Sequence, residues 1–209
     1  MSGFNNQWEE LKKGALTIPN LMSAARIIMV PIFLVLMLQG HYSGAIVILI
    51  LSALSDFFDG KVARRFNQVS NLGKILDPIA DKLTEICISI AYFFIFHGMD
   101  DPMLHAVSYV FWLFVVKEAI MVIGGLLLLS RDETPQAAAM YGKVATFFYY
   151  LFMTVILLFA PEFGALHHLF TLPSIVIVIL VICSAILSII ALLSYAPRAI
   201  RQFLGKEVH

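Results

Sequence analysis

The chain has 209 residues, 14 basic and 14 acidic, with no net formal charge; 60% of it is hydrophobic and only 13% charged, and its mean hydropathy is +0.89. Soluble domains carry about 25% charged residues, so the balance excludes a soluble globular fold and predicts an all-α polytopic membrane protein. The two cysteines, Cys87 and Cys183, fall inside apolar runs, where a thiol acts as a small hydrophobe, and no disulfide is expected.

Near the N-terminus lies "FNNQWEELKKG", in which Phe4 and Trp8 stand at i and i+4 while Glu9, Glu10, Lys12 and Lys13 take other faces. This spacing predicts a short interfacial helix within a juxtamembrane amphipathic segment, 1–17; a solvated tail is the alternative. No cleavable leader is expected, because a basic region before a short apolar run and a small-residue cleavage site are lacking.

A crossing needs about 20 mostly apolar residues. Six segments qualify, at 18–39, 44–66, 75–98, 104–130, 136–160 and 172–196. The loops "QGHYSG", "HGMDDPM" and "APEFGALHHLFTLP" carry no Lys or Arg, whereas the other side collects Lys12, Lys13, Arg64, Arg65, Lys74, Arg131, Arg198, Arg201 and Lys206. The positive-inside rule then places both termini in the cytoplasm. It divides the chain into the segment 1–17, a six-helix domain over 18–196 and a basic tail over 197–209.

Near the cytoplasmic ends of crossings two and three, four acids gather in "LSDFFDGKVARRFNQVSNLGKILDPIADKL". On a helix, Asp56, Asp59, Gly60 and Ala63 share one face, and Asp77 and Asp81, at i and i+4, share a face of the next. Clustered carboxylates at a membrane boundary repel one another and demand a cation. Arg64, Lys61 and Lys82 could supply it in a structural ion-pair knot. A divalent metal site accounts better for four short, hard oxygen donors, and the small residues for close approach of a flat ligand. Four aspartates can hold two ions about 3.5–4 Å apart, an arrangement suited to displacement at phosphorus. The residues therefore point to metal-assisted phosphoryl chemistry at the cytoplasmic interface.

Asp56, Asp59, Gly60, Ala63, Arg64, Gly73, Asp77 and Asp81 match without a gap the pattern D-x-x-D-G-x-x-A-R-x8-G-x3-D-x3-D. In this the chain resembles the CDP-alcohol phosphatidyltransferases, and the likeness extends to the six-helix layout. "TIPNLMSAARIIMVP" and "NLGKILDPIADKL" are similar to the branch of phosphatidylglycerophosphate synthases and cardiolipin synthases. The resemblance implies transfer of a phosphatidyl group from CDP-diacylglycerol to an alcohol with release of CMP. It further implies two Mg²⁺ or Mn²⁺ ions and a homodimer with a cytosol-facing site. Carried over by position, Asp56, Asp59 and Asp77 hold one ion and Asp56, Asp77 and Asp81 the other, with Asp81 also the general base. Gly60, Ala63 and Gly73 make room for the cytidine, Asp56 belongs to the same CDP site, and Arg64 meets the diphosphate. The expected setting is a bacterial inner membrane, with the lipid bilayer and no nucleic acid among the partners.

Glycerol 3-phosphate is the expected acceptor, phosphatidylglycerol or another polar alcohol the alternative, and a cation transporter the remote one. A phosphorylated acceptor needs cations beside the metals. Lys143, in "YGKVAT", is the first candidate, followed by Lys117, Arg26 and Arg131. Synthases of phosphatidylglycerophosphate carry an Arg-Glu or Arg-Asp pair in crossing four, often with another Arg a turn later. Here the pair is Lys117-Glu118, and the following "AIMVIGGLLLL" has no arginine. Asn20 and Ser23 stand where they approach the site or cap a helix. The run Phe147 to Tyr150 is expected to face lipid or a second copy.

Overall fold

The computed structural model describes residues 17–65, 73–129 and 140–203, with backbone alone at 56, 57, 59–64, 74, 75, 125–129 and 196–203. Its elements are all helices: α1 (Ile18–Leu38), α2 (Tyr42–Arg65), α3 (Gly73–His97), α4 (Pro102–Ser108), α5 (Val110–Leu129), α6 (Met140–Phe159) and α7 (Ser174–Phe203). Among the described residues, four stretches are long and apolar enough to cross a membrane: Ile18–Leu38, Pro102–Gly124, Met140–Phe159 and Ser174–Tyr195. The protein is an integral membrane protein. In α2 the apolar run Tyr42–Ser55 precedes the acidic and basic residues of the motif. The amphipathic segment expected over 1–17 lies, but for Thr17, outside the described residues.

The chain divides into two compact units, residues 1–87 and 88–209. In the first, α1 starts at a Thr17 cap, whose side chain accepts from the Asn20 amide at 3.4 Å, with Pro19 early in the first turn. Proline there forgoes an amide that has no intrahelical partner anyway. At the other end, His41 N–H donates to Leu36 O at 2.8 Å and Gly40 N–H to Met37 O at 3.2 Å. This is the Schellman stop, and it turns the chain straight into α2, which packs along α1. The stop requires Gly40 at φ +77°. Gly40→Ala is expected to cost about 1 kcal/mol through the left-handed backbone alone, since an added Cβ meets nothing nearer than the Tyr42 hydroxyl at 4.0 Å. A melting curve of the variant in detergent checks this.

In the second unit an aromatic cluster forms the core. Tyr92 stacks on Phe111 with centroids 5.5 Å apart and meets Phe96 and Phe163 edge-on. Burying a phenol in an apolar core needs a partner for its hydroxyl, and Tyr92 donates to Met153 O at 2.6 Å. Tyr149 is fully buried and shares a 2.7 Å hydrogen bond with Ser89. This corrects the lipid-facing expectation for that residue: Ala145, Tyr149, Met153 and Ile156 recur at three and four residues along the inward face of α6. Phe147, 63% exposed, faces out as expected.

The expected fourth crossing is divided at Tyr109, where Trp112 N–H reaches Tyr109 O at 3.2 Å and the chain tightens for one turn before α5. The last helix outruns its expected end, continuing through Pro197 to Phe203; a proline removes one backbone donor and bends a helix without always ending it.

Asp101 caps α4, accepting from the amides of Met103 at 2.8 Å and Leu104 at 3.3 Å, and it also accepts from the Ser174 hydroxyl at the head of α7. The Ser174 bond is the main cause that holds the Asp101 carboxyl below its ordinary range; desolvation opposes it and the two amides reinforce it. A lowered folded-state value stabilises the fold above the ordinary carboxylate pKa and loses that contribution as pH falls through the lowered one. The melting temperature is therefore expected to fall below about pH 4 and to fall less steeply in Asp101→Asn.

Candidate active site

Helix α3 opens at Gly73, which is buried, and carries Asp77 and Asp81 one turn apart on one face. Pro78 sits in its second turn, where the missing amide costs less than it would deep in a helix. Both carboxylates meet α1. Ser23 donates to Asp77 Oδ1 at 2.5 Å, and Arg26 Nη1 donates to Asp81 Oδ1 at 2.8 Å. Ser23 also lies 3.1 Å from the Pro19 carbonyl, the back-bonded position that settles a helical serine's rotamer. Asn20, Ser23 and Arg26 are all buried and line one face of α1.

The ion pair is lopsided. The Arg26 side chain is 2% exposed, that of Asp81 50%, so the guanidinium supports the carboxylate from within the protein while the carboxylate faces outward. Further along α3, Glu85 is buried and lies 3.9 Å from Lys82. The stripe Asp77, Asp81, Glu85 thus passes from an open to a closed environment.

The backbone at Asp56, Asp59, Gly60, Ala63 and Arg64 is helical within α2, but their side chains lie outside those described, as does the whole of Arg131. Among the described residues, no three His, Cys, Asp or Glu side chains converge on a point that could hold an ion; Asp77 and Asp81 are the described half of the expected donor set. Their chemistry fits Mg²⁺ or Mn²⁺: hard carboxylate oxygens, each group able to accept several contacts, so that one hydrogen bond to Ser23 or Arg26 leaves acceptor capacity.

Two of the expected acceptor cations belong to the second unit. Lys143 is exposed in the first turn of α6. Lys117 is buried and its ammonium contacts the Glu118 carboxylate, itself fully buried.

Residues 16–190 match the family model described as CDP-alcohol phosphatidyltransferase. The chain belongs to this family. Among relatives of this phosphatidyltransferase, a CDP-diacylglycerol–glycerol-3-phosphate 3-phosphatidyltransferase of Aquifex aeolicus (strain VF5) is 35% identical over 133 residues, 64% of this chain and 71% of that one. A cardiolipin synthase (CMP-forming) of Streptomyces coelicolor (strain ATCC BAA-471 / A3(2) / M145) is 51% identical over 74 residues, covering 32% of this chain and 34% of the relative. A putative cardiolipin synthase of Mycobacterium bovis (strain ATCC BAA-935 / AF2122/97) is 34% identical over 145 residues, 68% and 65%. The phosphatidyltransferase is thus an enzyme of phospholipid biosynthesis with membrane-spanning helices.

Sequence reasoning left Asn20 and Ser23 either to approach the site or to cap a helix, and Ser23 bonds to Asp77. It offered Arg26 as an acceptor contact ranked after Lys143, not as the partner of an acid. No pattern along the chain pairs a cation with an acid 55 residues away.

Proposed function

We propose that this phosphatidyltransferase moves a phosphatidyl group from CDP-diacylglycerol to glycerol 3-phosphate, releasing CMP. The observation that carries the reading is the pair Asp77 and Asp81, held one turn apart by hydrogen bonds from Ser23 and Arg26 in a chain of this family. Asp56, Asp59 and Asp77 would hold one divalent ion and Asp56, Asp77 and Asp81 a second, which would supply Lewis-acid neutralisation of the diphosphate.

The chain's own residues do the rest. Arg64 meets the diphosphate as a fork of donors, and Gly60, Ala63 and Gly73 leave room for the cytidine. Asp81 orients the acceptor hydroxyl and receives its proton. The hydroxyl oxygen forms a bond to the β-phosphorus, the bond from that phosphorus to the CMP oxygen breaks, and the pair of electrons leaves with CMP. A carboxylate is a weak base near neutral pH, so positioning supplies much of the rate.

Lys143, exposed at the start of α6, is the proposed contact for the acceptor's phosphate, and Arg131 is a second candidate; Lys117 serves only by exchanging Glu118 for the acceptor. Six crossings over 18–196, cytoplasmic termini and tail, a cytosol-facing site in a bacterial inner membrane, and a homodimer complete the reading.

Phosphatidylglycerol as acceptor is the second reading. It is favoured by Lys117-Glu118 in place of an arginine pair and by the cardiolipin synthases among the relatives. Purified protein in lipid-detergent micelles with CDP-diacylglycerol and Mn²⁺ separates the two. CMP release with glycerol 3-phosphate and none with phosphatidylglycerol is the expected result, and the reverse pattern replaces the acceptor while keeping the chemistry.

A further inference from the structure

We propose that α1 is a positioning element for the reaction: Ser23 and Arg26 fix the carboxylates of Asp77 and Asp81, and Arg26 acts through Asp81 rather than on the acceptor. The inference rests on the phosphatidyltransferase reading and deepens it at the same site.

The two bonds are spaced to lock a register. Ser23 and Arg26 are three residues apart and Asp77 and Asp81 four, an axial rise of about 4.5 Å against about 6 Å. Two successive side chains of α1 therefore meet two successive carboxylates of α3, in the same order along both helices. One bond would still permit rotation of α3 about the contact. Two bonds a turn apart fix both rotation and slide.

Arg26 is the more telling of the two. Its charge is permanent, it stands about two turns into an apolar membrane helix, and it is 2% exposed. A cation serving as a headgroup anchor extends toward the interface, whereas this one turns inward onto an acid. Its partner is 50% exposed, so the guanidinium grips the carboxylate from the protein side and the open side of Asp81 is left to the acceptor hydroxyl. A guanidinium in that place reaches the reacting atoms through Asp81. Ser23 does the same for Asp77 with a hydroxyl whose rotamer its own helix sets.

The test pairs steady-state kinetics of the purified full-length enzyme in lipid-detergent micelles with melting of the same variants. The acceptor is whichever alcohol the wild-type protein turns over. If glycerol 3-phosphate is the wrong acceptor, the failure appears in the wild type and leaves the comparison among variants intact. Arg26→Gln is expected to lower kcat about 10²-fold, the usual consequence of a misplaced reacting group, with the acceptor KM held within about threefold. Arg26→Lys, which keeps charge and fold but not the planar fork, is expected to recover part of that loss. Ser23→Ala is expected to lower kcat about tenfold, again without a change in KM.

In melting, the effects of Arg26→Gln and Asp81→Ala, which removes the acceptor altogether, are expected to be non-additive by roughly 2–4 °C, and those of Arg26→Gln and Asp77→Ala to add. A rise of about tenfold or more in acceptor KM with kcat retained, in either Arg26 variant, would make Arg26 an acceptor contact and overturn the proposal. So would additive melting of Arg26→Gln with Asp81→Ala.

Discussion

Asp81→Asn is expected to lower CMP release by about 10²–10⁴-fold, the range for a lost acid–base group, while changing the melting temperature little. The argument for the large effect is chemical. The variant removes the group proposed to receive the acceptor's proton and one anionic ligand of the metal pair, and the neutral amide replaces neither. The argument for the small effect on stability is structural. The Asp81 side chain is half exposed, so it contributes little burial, and the amide oxygen of Asn still accepts a hydrogen bond from Arg26. Arg26 is therefore not left without an acceptor in the protein interior, the usual route by which such a substitution unfolds a membrane helix pair. A variant that melts like the wild type and still turns over at more than a tenth of its rate would remove Asp81 from the chemistry.

How much of this was legible in the sequence depends on the distance over which each feature is specified. Helix bounds are local. The crossing expected over 18–39 is Ile18–Leu38, because Thr17, Pro19 and Gly40 mark its ends by backbone chemistry alone. The break at Tyr109 left no such mark: no Gly or Pro stands there, the residues from Val110 to Val116 are all apolar, and the one-turn tightening alters no side-chain type.

Tyr149 shows a different limit. Its neighbours Phe147, Phe148 and Tyr150 make the run look uniformly lipid-facing, yet a helix turns 100° per residue and only one of four consecutive aromatics can take the inward stripe. The partner that selects Tyr149, the Ser89 hydroxyl, lies 60 residues away. The acids at 77 and 81 were conspicuous because charge in an apolar chain is costly wherever it appears. Their partners were not, because a serine and an arginine near a helix end have several ordinary uses.

The largest effect on stability is expected from the other buried charge pair. Lys117 and Glu118 are adjacent in α5, so their side chains leave the helix about 100° apart and must bend toward each other to meet, as they do. Neither has access to water: Glu118 is fully buried and Lys117 is 6% exposed. Apolar Trp112, Leu113, Val116 and Ile120 surround the lysine in a groove shared with Ser188 of α7. Breaking a buried ion pair by removing one partner costs about 3–5 kcal/mol, whereas replacing both with apolar or neutral groups of like volume is often close to neutral. Lys117→Met alone is therefore expected to lower the melting temperature by roughly 6–20 °C for a chain of this size, and Lys117→Met with Glu118→Gln to recover most of it. The same measurement bears on function. If Lys117→Met leaves the melting temperature unchanged and raises KM for the acceptor, then the lysine spends its time on substrate, and α5 joins the acceptor pocket despite lacking the arginine pair. If stability falls and the double variant restores both melting and turnover, the pair is a membrane-embedded tie, and the acceptor's phosphate must be met by other cations, with Lys143 the first to change.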